Sequence, residues 1–370
     1  MAPYWDPNLR EGHHGATARI ARLAEDLTTS TPTTMGSASP LFEIYPPLIN
    51  TACPWATTVD DLRDLYACPS TGAVTTRTSL VKGFDHNPDR HQYAFFDASL
   101  AGTAHSASLN SFGYSPLTLE TYLGFIKTIS AELPTKSSKG FIVSVTGTPE
   151  DIAISYKLVA SAAQDVQFPL AMEINLSCPN IPNRPPPAYS EEALSTYLSH
   201  LRQAITETAN DNIPRIPVGL KTPPYTYATQ YQSLISALEA ATPDEGGSCP
   251  ISFITATNTL GSCLLLSPSA PDSQHPSPVL PGTGLGGMAG APLHPLALGN
   301  VHTIRRMLDE KEGKLGRHVR VLGVGGVCDA AGYKRMRAAG ADVVGLATGL
   351  GLRGVGVFGE IERGLEEGRW

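Results

Sequence analysis

Residues 319–349 read VRVLGVGGVCDAAGYKRMRAAGADVVGLATG. Two short apolar runs, 319–324 and 342–348, flank a helical stretch at 330–339. The runs are largely apolar at odd and even positions alike, the pattern of strands buried on both faces. Gly323, Gly325 and Gly326 cluster after the first run, and Ala347-Thr348-Gly349 follows the second. Ala339-Gly340 closes the helix in the usual way, with glycine just past the last turn. The segment is a strand–loop–helix–strand unit, and such units build parallel sheets.

Six further strand-like runs lie upstream, at 46–53, 73–78, 141–147, 171–177, 217–222 and 252–258. Helical patterns at 58–67, 116–133, 149–163, 190–208, 227–241 and 295–308 fall between most of them, and another at 354–367 ends the chain. Thr148-Pro149-Glu150-Asp151 suits a helix start, with proline and acids in the first turn. Eight strands alternating with helices predict a TIM (β/α)8 barrel. A doubly wound sheet is the alternative; right-handed crossovers serve both, and the strand count favours the barrel. Connections 81–108, 178–189 and 261–294 are too long for simple turns. All three leave carboxyl ends of strands, so long loops are expected at the C-terminal face, where barrel enzymes keep their chemistry.

With 41 % hydrophobic and 16 % charged residues, the 370-residue chain can bury a large core. Its formal net charge of -7 argues against a nucleic-acid partner. No apolar run approaches the roughly 18–20 residues of a membrane span, so no membrane partner is expected. Residues 1–40 are read as an N-terminal extension and linker, with a short amphipathic helix at 16–27, and 41–370 as the barrel domain. The six cysteines, Cys53, Cys68, Cys178, Cys249, Cys263 and Cys328, have no CxxC spacing and no secretory signal before them. Reduced thiols are expected, and no metal.

Chemistry concentrates in Glu173-Ile174-Asn175-Leu176-Ser177-Cys178-Pro179-Asn180. Asn175 and Ser177 share strand parity and can both face the barrel mouth, with Cys178 on the loop above. The Asn180 amide, with donors and an acceptor, suits a ligand with carbonyl and N–H edges. An Asx turn beside a buried cysteine is the plain structural alternative. Asn110, in SLNSFG, and Asn258-Thr259, at the end of the sixth strand, repeat the theme. Several such groups at strand ends suggest recognition of a planar, hydrogen-bonding ring. Lys221 ends the fifth strand in VGLKTPPY. Pointing inward it needs an anionic or electron-rich partner; snorkelling to the surface is the other reading. Glycine clusters after strands seven and eight fit the common barrel phosphate site, although tight turns use glycine too. Residues 282–290 (GTGLGGMAG) form a third such loop, able to approach a cofactor ring or simply to flex.

These segments together resemble class 1 dihydroorotate dehydrogenases, the cytosolic cysteine-base class. NLSCPN is similar to that signature, and SLNSFG, VGLKTPPY, ATNTLG, GLGGMAG with HPLALGNVH, GVGG and LATG follow in family order between residues 46 and 358. The lysine segment with its PPY tail is closest to the fumarate-using, homodimeric members. The membrane-bound, quinone-using class has a serine base and an N-terminal membrane helix pair. The resemblance implies FMN as cofactor, dihydroorotate and fumarate as substrates, orotate as product, pyrimidine biosynthesis as the setting, a cytoplasmic location and a homodimer. It implies Cys178 as the base that takes the C5 proton, and Lys221 beside the flavin N1–C2=O edge. Substrate-binding roles fall on Asn110, Phe112, Gly113, Tyr114, Asn175, Asn180, Asn258 and Thr259. Flavin-binding roles fall on Thr51, Ala52, Arg77, Asn175, Lys221, Gly286, Gly287, Gly325, Gly326, Ala347 and Thr348.

The chain departs from the family pattern at four places. Arg77, in TTRTS, stands where the family has a lysine touching flavin and substrate. Arginine keeps the charge but is bulkier and planar, and can grip a carboxylate bidentately. Thr51-Ala52-Cys53 replaces Ala-Ser-Gly, and the Cys53 side chain would crowd the flavin. Arg184 replaces a lysine and Ala347 a glycine. Two alternatives follow: a related FMN oxidoreductase with another substrate, redirected by Arg77, and a catalytically inactive FMN-binding protein.

Overall fold

The eight runs predicted as strands form one closed parallel barrel. The computed structural model describes residues 40–97, 105–181, 185–243, 248–267, 275–311, 315–365 and 370. The helix expected at 16–27, all of the linker expected at 28–40 except Pro40, and Arg184 lie outside these residues. The described strands are β1 (Leu48–Asn50), β2 (Ala73–Thr75), β3 (Tyr93–Phe96), β4 (Ala107–Asn110), β5 (Gly140–Val145), β6 (Leu170–Asn175), β7 (Val218–Thr222), β8 (Phe253–Ala256), β9 (Leu260–Leu264), β10 (Leu285–Gly290), β11 (Arg320–Val324) and β12 (Val343–Leu346). The barrel runs in chain order through β1, β2, β5, β6, β7, β8, β11 and β12, and β12 pairs with β1 to close it.

Helices cover the outside. They are α1 (Val59–Ala67), α2 (Leu119–Ala131), α3 (Pro149–Ala162), α4 (Glu191–Asn210), α5 (Ala228–Ala240), α6 (His294–Asp309), α7 (Ala330–Ala338), α8 (Thr348–Arg353) and α9 (Gly356–Arg363). Their starts follow local chemistry. Thr58 and Thr148 each close a capping box, with Asp61 and Asp151. Each cap satisfies backbone N–H groups and contributes about 1 kcal/mol. Gly340 follows α7 with a φ of 110°, as the turn into β12 requires.

The barrel interior is layered. Ile49, Ala73, Ile142, Ala171, Phe253, Leu322 and Val343, one from each of seven strands, make an apolar floor. On the eighth strand Gly219 leaves its space to the Phe253 ring, which would lie 2.2 Å from a Cβ there. Two residues further along each strand the same face returns. There it carries Thr51, Thr75, Ser144, Glu173, Lys221 and Thr255. The interior therefore turns polar toward the carboxyl ends of the strands.

Two of the expected long loops are strands in part. Connections 81–108 and 261–294 contribute β3, β4, β9 and β10, which pair antiparallel in the order β3-β4-β10-β9. This sheet lies at the barrel mouth: Tyr93, Ser108, Asn110 and Ala289 all line the cavity described below. The glycine-rich loop at 282–290 is thus largely strand β10. The last helix differs as well. A turn of helix, α8, begins at Thr348, the chain breaks at Gly354 (φ 64°), and α9 ends at Arg363 rather than 367.

Candidate active site

Two adjoining cavities, both open to solvent, occupy the carboxyl end of the barrel and span about 740 Å3 and about 550 Å3, open space included. Both are lined by Ala52, Lys221, Asn258, Thr259, Ala347 and Thr348. The first also takes Cys178 and Arg77, with Asn110, Phe112, Gly113, Tyr114, Asn175 and Asn180. The second takes Thr51, Gly325 and Gly326. Cys178 and every residue given a substrate- or flavin-binding role reach one of the two, apart from Gly286 and Gly287. Those two lie on β10 where other chain segments come close. A Cβ on Gly286 would sit 2.5 Å from the Asn110 carbonyl oxygen, and one on Gly287 would sit 2.2 Å from Thr259 Oγ1. Ala289 and Gly290, further along β10, line the cavities instead.

The charge balance of the lining is one-sided. Arg77 and Lys221 line the cavities, and among the described residues neither lining includes a carboxylate. Both cations are nearly buried, at 8 % and 4 % exposure. Two buried cations facing a cavity lined by no described carboxylate suit the site to anions. Lys221 Nζ donates to Thr51 Oγ1 at 3.3 Å. Arg77 donates through Nη1 to Thr57 Oγ1 (3.4 Å) and through Nη2 to the Tyr114 carbonyl (3.3 Å), and lies 5.2 Å over the Phe112 ring. Burial lowers its pKa, and neighbouring Tyr122 and Cys53 push the other way.

Amide groups form one connected cluster. Asn175 Oδ1 accepts from Ser177 Oγ (2.8 Å) and from Asn258 Nδ2 (3.2 Å). Asn258 Oδ1 accepts from the Thr259 N–H (2.8 Å). Asn180 Nδ2 reaches across to strand β4 and its exit, donating to the Asn110 and Phe112 carbonyls at 3.1 and 2.8 Å. Of the pair expected at the barrel mouth, Asn175 lines the first cavity, whereas Ser177 is fully buried behind it and lines neither, β6 ending at Asn175.

Cys178 lies on the loop after β6, its Sγ 4.0 Å from the Phe112 carbonyl. Burial pushes this thiol up to about 11, while the Asn180 N–H and the Lys221 ammonium pull it down. Cys53, 5 % exposed, lines the same cavity and is pushed up to about 12 by burial.

At the other end of the shared space, Gly325 (φ 138°) and Gly326 (φ 72°) form a tight turn after β11. A Cβ on Gly326 would lie 2.6 Å from His294 Cβ and 2.7 Å from the Gly290 carbonyl oxygen. His294 Nδ1 donates to the Gly325 carbonyl (2.7 Å) and its Nε2 accepts from Arg335 Nε (3.1 Å), which holds the turn in place. Ser108 Oγ lies 3.0 Å from Thr348 Oγ1. Thr257 was missed in the sequence. Its Oγ1 is buried without a hydrogen-bond partner, and the residue lines the second cavity. A buried unpaired hydroxyl costs about 1–3 kcal/mol, so this one is available to a partner in the cavity. The available signal was its parity, inward like Phe253 and Thr255.

A family model described as dihydroorotate dehydrogenase matches residues 98–368. The chain is 29 % identical over 324 residues to the dihydroorotate dehydrogenase (fumarate) of Trypanosoma cruzi, covering 87 % of this chain and 88 % of that protein. It is 26 % identical over 321 residues to the dihydroorotate dehydrogenase A (fumarate) of Lactococcus lactis subsp. cremoris, covering 87 % and 89 %.

Proposed function

The chain belongs to the dihydroorotate dehydrogenase family, and we propose that it oxidises (S)-dihydroorotate to orotate with FMN as its flavin and fumarate as the electron acceptor. One observation carries this reading: a half-buried thiol, two buried cations and a cluster of amides surround one double cavity whose lining, among the described residues, holds no carboxylate. Its two lobes suit two ligands, a ring with a carboxylate beside Cys178 and a phosphate-bearing ring system reaching Gly325 and Gly326.

The lining fits FMN. Gly325 and Gly326, at positive φ, turn the chain after β11 along the wall of the second cavity, where backbone N–H groups can meet a phosphate. Thr348 adds a hydroxyl, Lys221 a positive charge at the shared wall, and Thr257 an unpaired hydroxyl. Thr51, Ala52 and Ala347 supply small walls for a flat ring. FMN, when bound, supplies the two-electron acceptor for the hydride that leaves C6 of the substrate.

The chain's own groups do the rest. Cys178 Sγ takes the C5 proton, for which it must be a thiolate. Arg77 holds the substrate carboxylate, with Phe112, Gly113 and Tyr114 forming the wall around it. Asn110, Asn175, Asn180, Asn258 and Thr259 read the carbonyl and N–H edges of the ring. Lys221 lowers the energy of negative charge arising in the cavity. Overall, two electrons and two protons move from dihydroorotate to fumarate, giving orotate and succinate. The setting is pyrimidine nucleotide synthesis in the cytoplasm by a homodimer. Among the described residues no helix is long and apolar enough to cross a membrane. Sedimentation of the purified protein at twice the chain mass supports the dimer; a monomer at micromolar concentration contradicts it.

Cys178→Ala tests the assignment. The variant should retain FMN and lose turnover with dihydroorotate by a factor of about 100 to 10,000. Unchanged turnover would remove Cys178 from the mechanism. Arg77 motivates one further reading, a related FMN oxidoreductase with another anionic substrate. That reading gains if wild-type enzyme binds FMN yet dihydroorotate fails to reduce it.

A further inference from the structure

Glu173 stands on β6 two residues before Asn175, on the same inward face, and is 1 % exposed. A carboxyl group so buried needs hydrogen bonds to offset its lost hydration. Both oxygens have one. Oε1 accepts from Ser144 Oγ at 2.9 Å, and Oε2 accepts from Thr255 Oγ1 at 2.7 Å. Ser144 Oγ in turn lies 2.9 Å from Thr78 Oγ1, and Thr78 Oγ1 accepts from Asn175 Nδ2 at 2.9 Å. An unbroken run of hydrogen bonds thus leads from the barrel interior to the amide cluster of the cavity.

The direction of that run is determined by its end. A hydroxyl has a single hydrogen. Ser144 directs its hydrogen to Glu173, so it can only accept from Thr78. Thr78 then donates to Ser144 and must accept from the next group, which is the Nδ2 end of Asn175. The Oδ1 end of Asn175 is left facing Ser177 and Asn258, from which it accepts. Ser177 Oγ has given its hydrogen to Asn175 and accepts from Asn258 Nδ2 at 2.9 Å. The Asn258 amide is therefore turned as well, with Oδ1 on the Thr259 N–H. A row of hydroxyls alone can run in either sense; from the other side the Ser177 N–H on Asn175 Oδ1 (3.3 Å) and the Thr259 N–H on Asn258 Oδ1 favour the same orientation, and the Glu173 run adds to them.

We infer that Glu173 is a positioning residue: through Ser144 and Thr78 it locks the Nδ2 end of Asn175, and so, together with the Ser177 and Thr259 N–H groups, holds the donor–acceptor pattern of Asn175 and Asn258 that the substrate ring meets. This rests on the reading that those asparagines hold the ring. Glu173 itself touches no substrate in this scheme. Its influence is confined to ligands recognised by a ring edge, and a ligand held by carboxylates alone is insensitive to it.

The test uses FMN-loaded enzyme and calorimetric dissociation constants for orotate and for fumarate, with melting temperatures alongside. Ser144→Ala interrupts the run while leaving every charge in place. It should weaken orotate about tenfold, which is about 1.4 kcal/mol, and leave fumarate within about twofold. Glu173→Leu should do the same or more. Glu173→Gln still offers an oxygen to Ser144 and should stay within about threefold of wild type. Ser144→Ala alone suffices if Glu173→Leu does not fold. Asn175→Ala guards the underlying reading: if it leaves orotate binding intact, the asparagines do not hold the ring and both claims fall. If Asn175→Ala loses orotate while Ser144→Ala does not, the ring reading stands and the positioning role is overturned. Equal weakening of orotate and fumarate in Ser144→Ala also overturns it, because that is a general lesion of the cavity.

Discussion

Raising the pH from 7 to 9 should speed flavin reduction by dihydroorotate about a hundredfold. The working form of Cys178 is the thiolate, and burial holds the thiol up to about 11. At pH 7 about one molecule in ten thousand carries the thiolate, and each unit of pH multiplies that by about ten until the titration is reached. Burial sets the direction, and the Asn180 N–H and Lys221 only moderate it. A bound substrate carboxylate adds a negative charge, which pushes the thiol further up and keeps the slope. The fold does not confound the measurement. A thiol raised in the folded state destabilises that state only as pH rises through the ordinary value, 9.0, toward the raised one. Up to pH 9 this group therefore leaves stability largely unchanged. The assay is anaerobic stopped-flow at saturating dihydroorotate, following loss of flavin absorbance in one turnover. Lys221→Met should lower the rate at each pH and keep the rising profile. A rate independent of pH from 6.5 to 9, or a plateau with its midpoint near 7, would refute the reasoning.

Three other outcomes are expected. Thr257→Val removes a hydroxyl without a partner, so the melting temperature should hold or rise while FMN affinity falls about fivefold; fluorescence titration of the apoprotein measures it. Gly326→Ala places a methyl group against His294 and the Gly290 carbonyl, at a φ of 72°; FMN should dissociate at least about tenfold more readily, read by ultrafiltration. Lys139→Met should cost about 2–4 kcal/mol in urea unfolding with no change in FMN affinity. Its Nζ donates to the carbonyls of Leu65, Tyr66 and Cys68 at the end of α1 and to Thr71 Oγ1, far from the cavities in role and partners.

The barrel was legible because its strands are buried on both faces and so read as apolar at both parities. Runs such as 141–147 and 171–177 carry that mark without help from distant residues. The antiparallel sheet at the mouth was not legible. Strand β10 is LGGMAG, and glycine has little strand preference of its own. It is a strand because Asn110, Leu109, Ser108 and Ala107 pair with it from far away in sequence. The same distance explains Gly286 and Gly287. Their missing side chains admit the β4 backbone and Thr259, an approach that reads in sequence like room for a ligand. Lys221, Asn175 and Asn258 stood out because each polar group ends an apolar strand, and Cys178 because it follows one, and all four line the cavities. Thr257 and Ser144 were not, because a hydroxyl inside a strand looks like ordinary filling until its partners are known. Glu173 was visible as a charge in an apolar run, but its role depends on three strands meeting around it.

The most direct measurement is an anaerobic absorbance spectrum of the purified protein, recorded alone, after dihydroorotate and after fumarate. The account predicts a bound flavin whose absorbance bleaches with the first addition and returns with the second. A flavin that dihydroorotate leaves oxidised, or a protein that purifies and reconstitutes without any flavin, contradicts it.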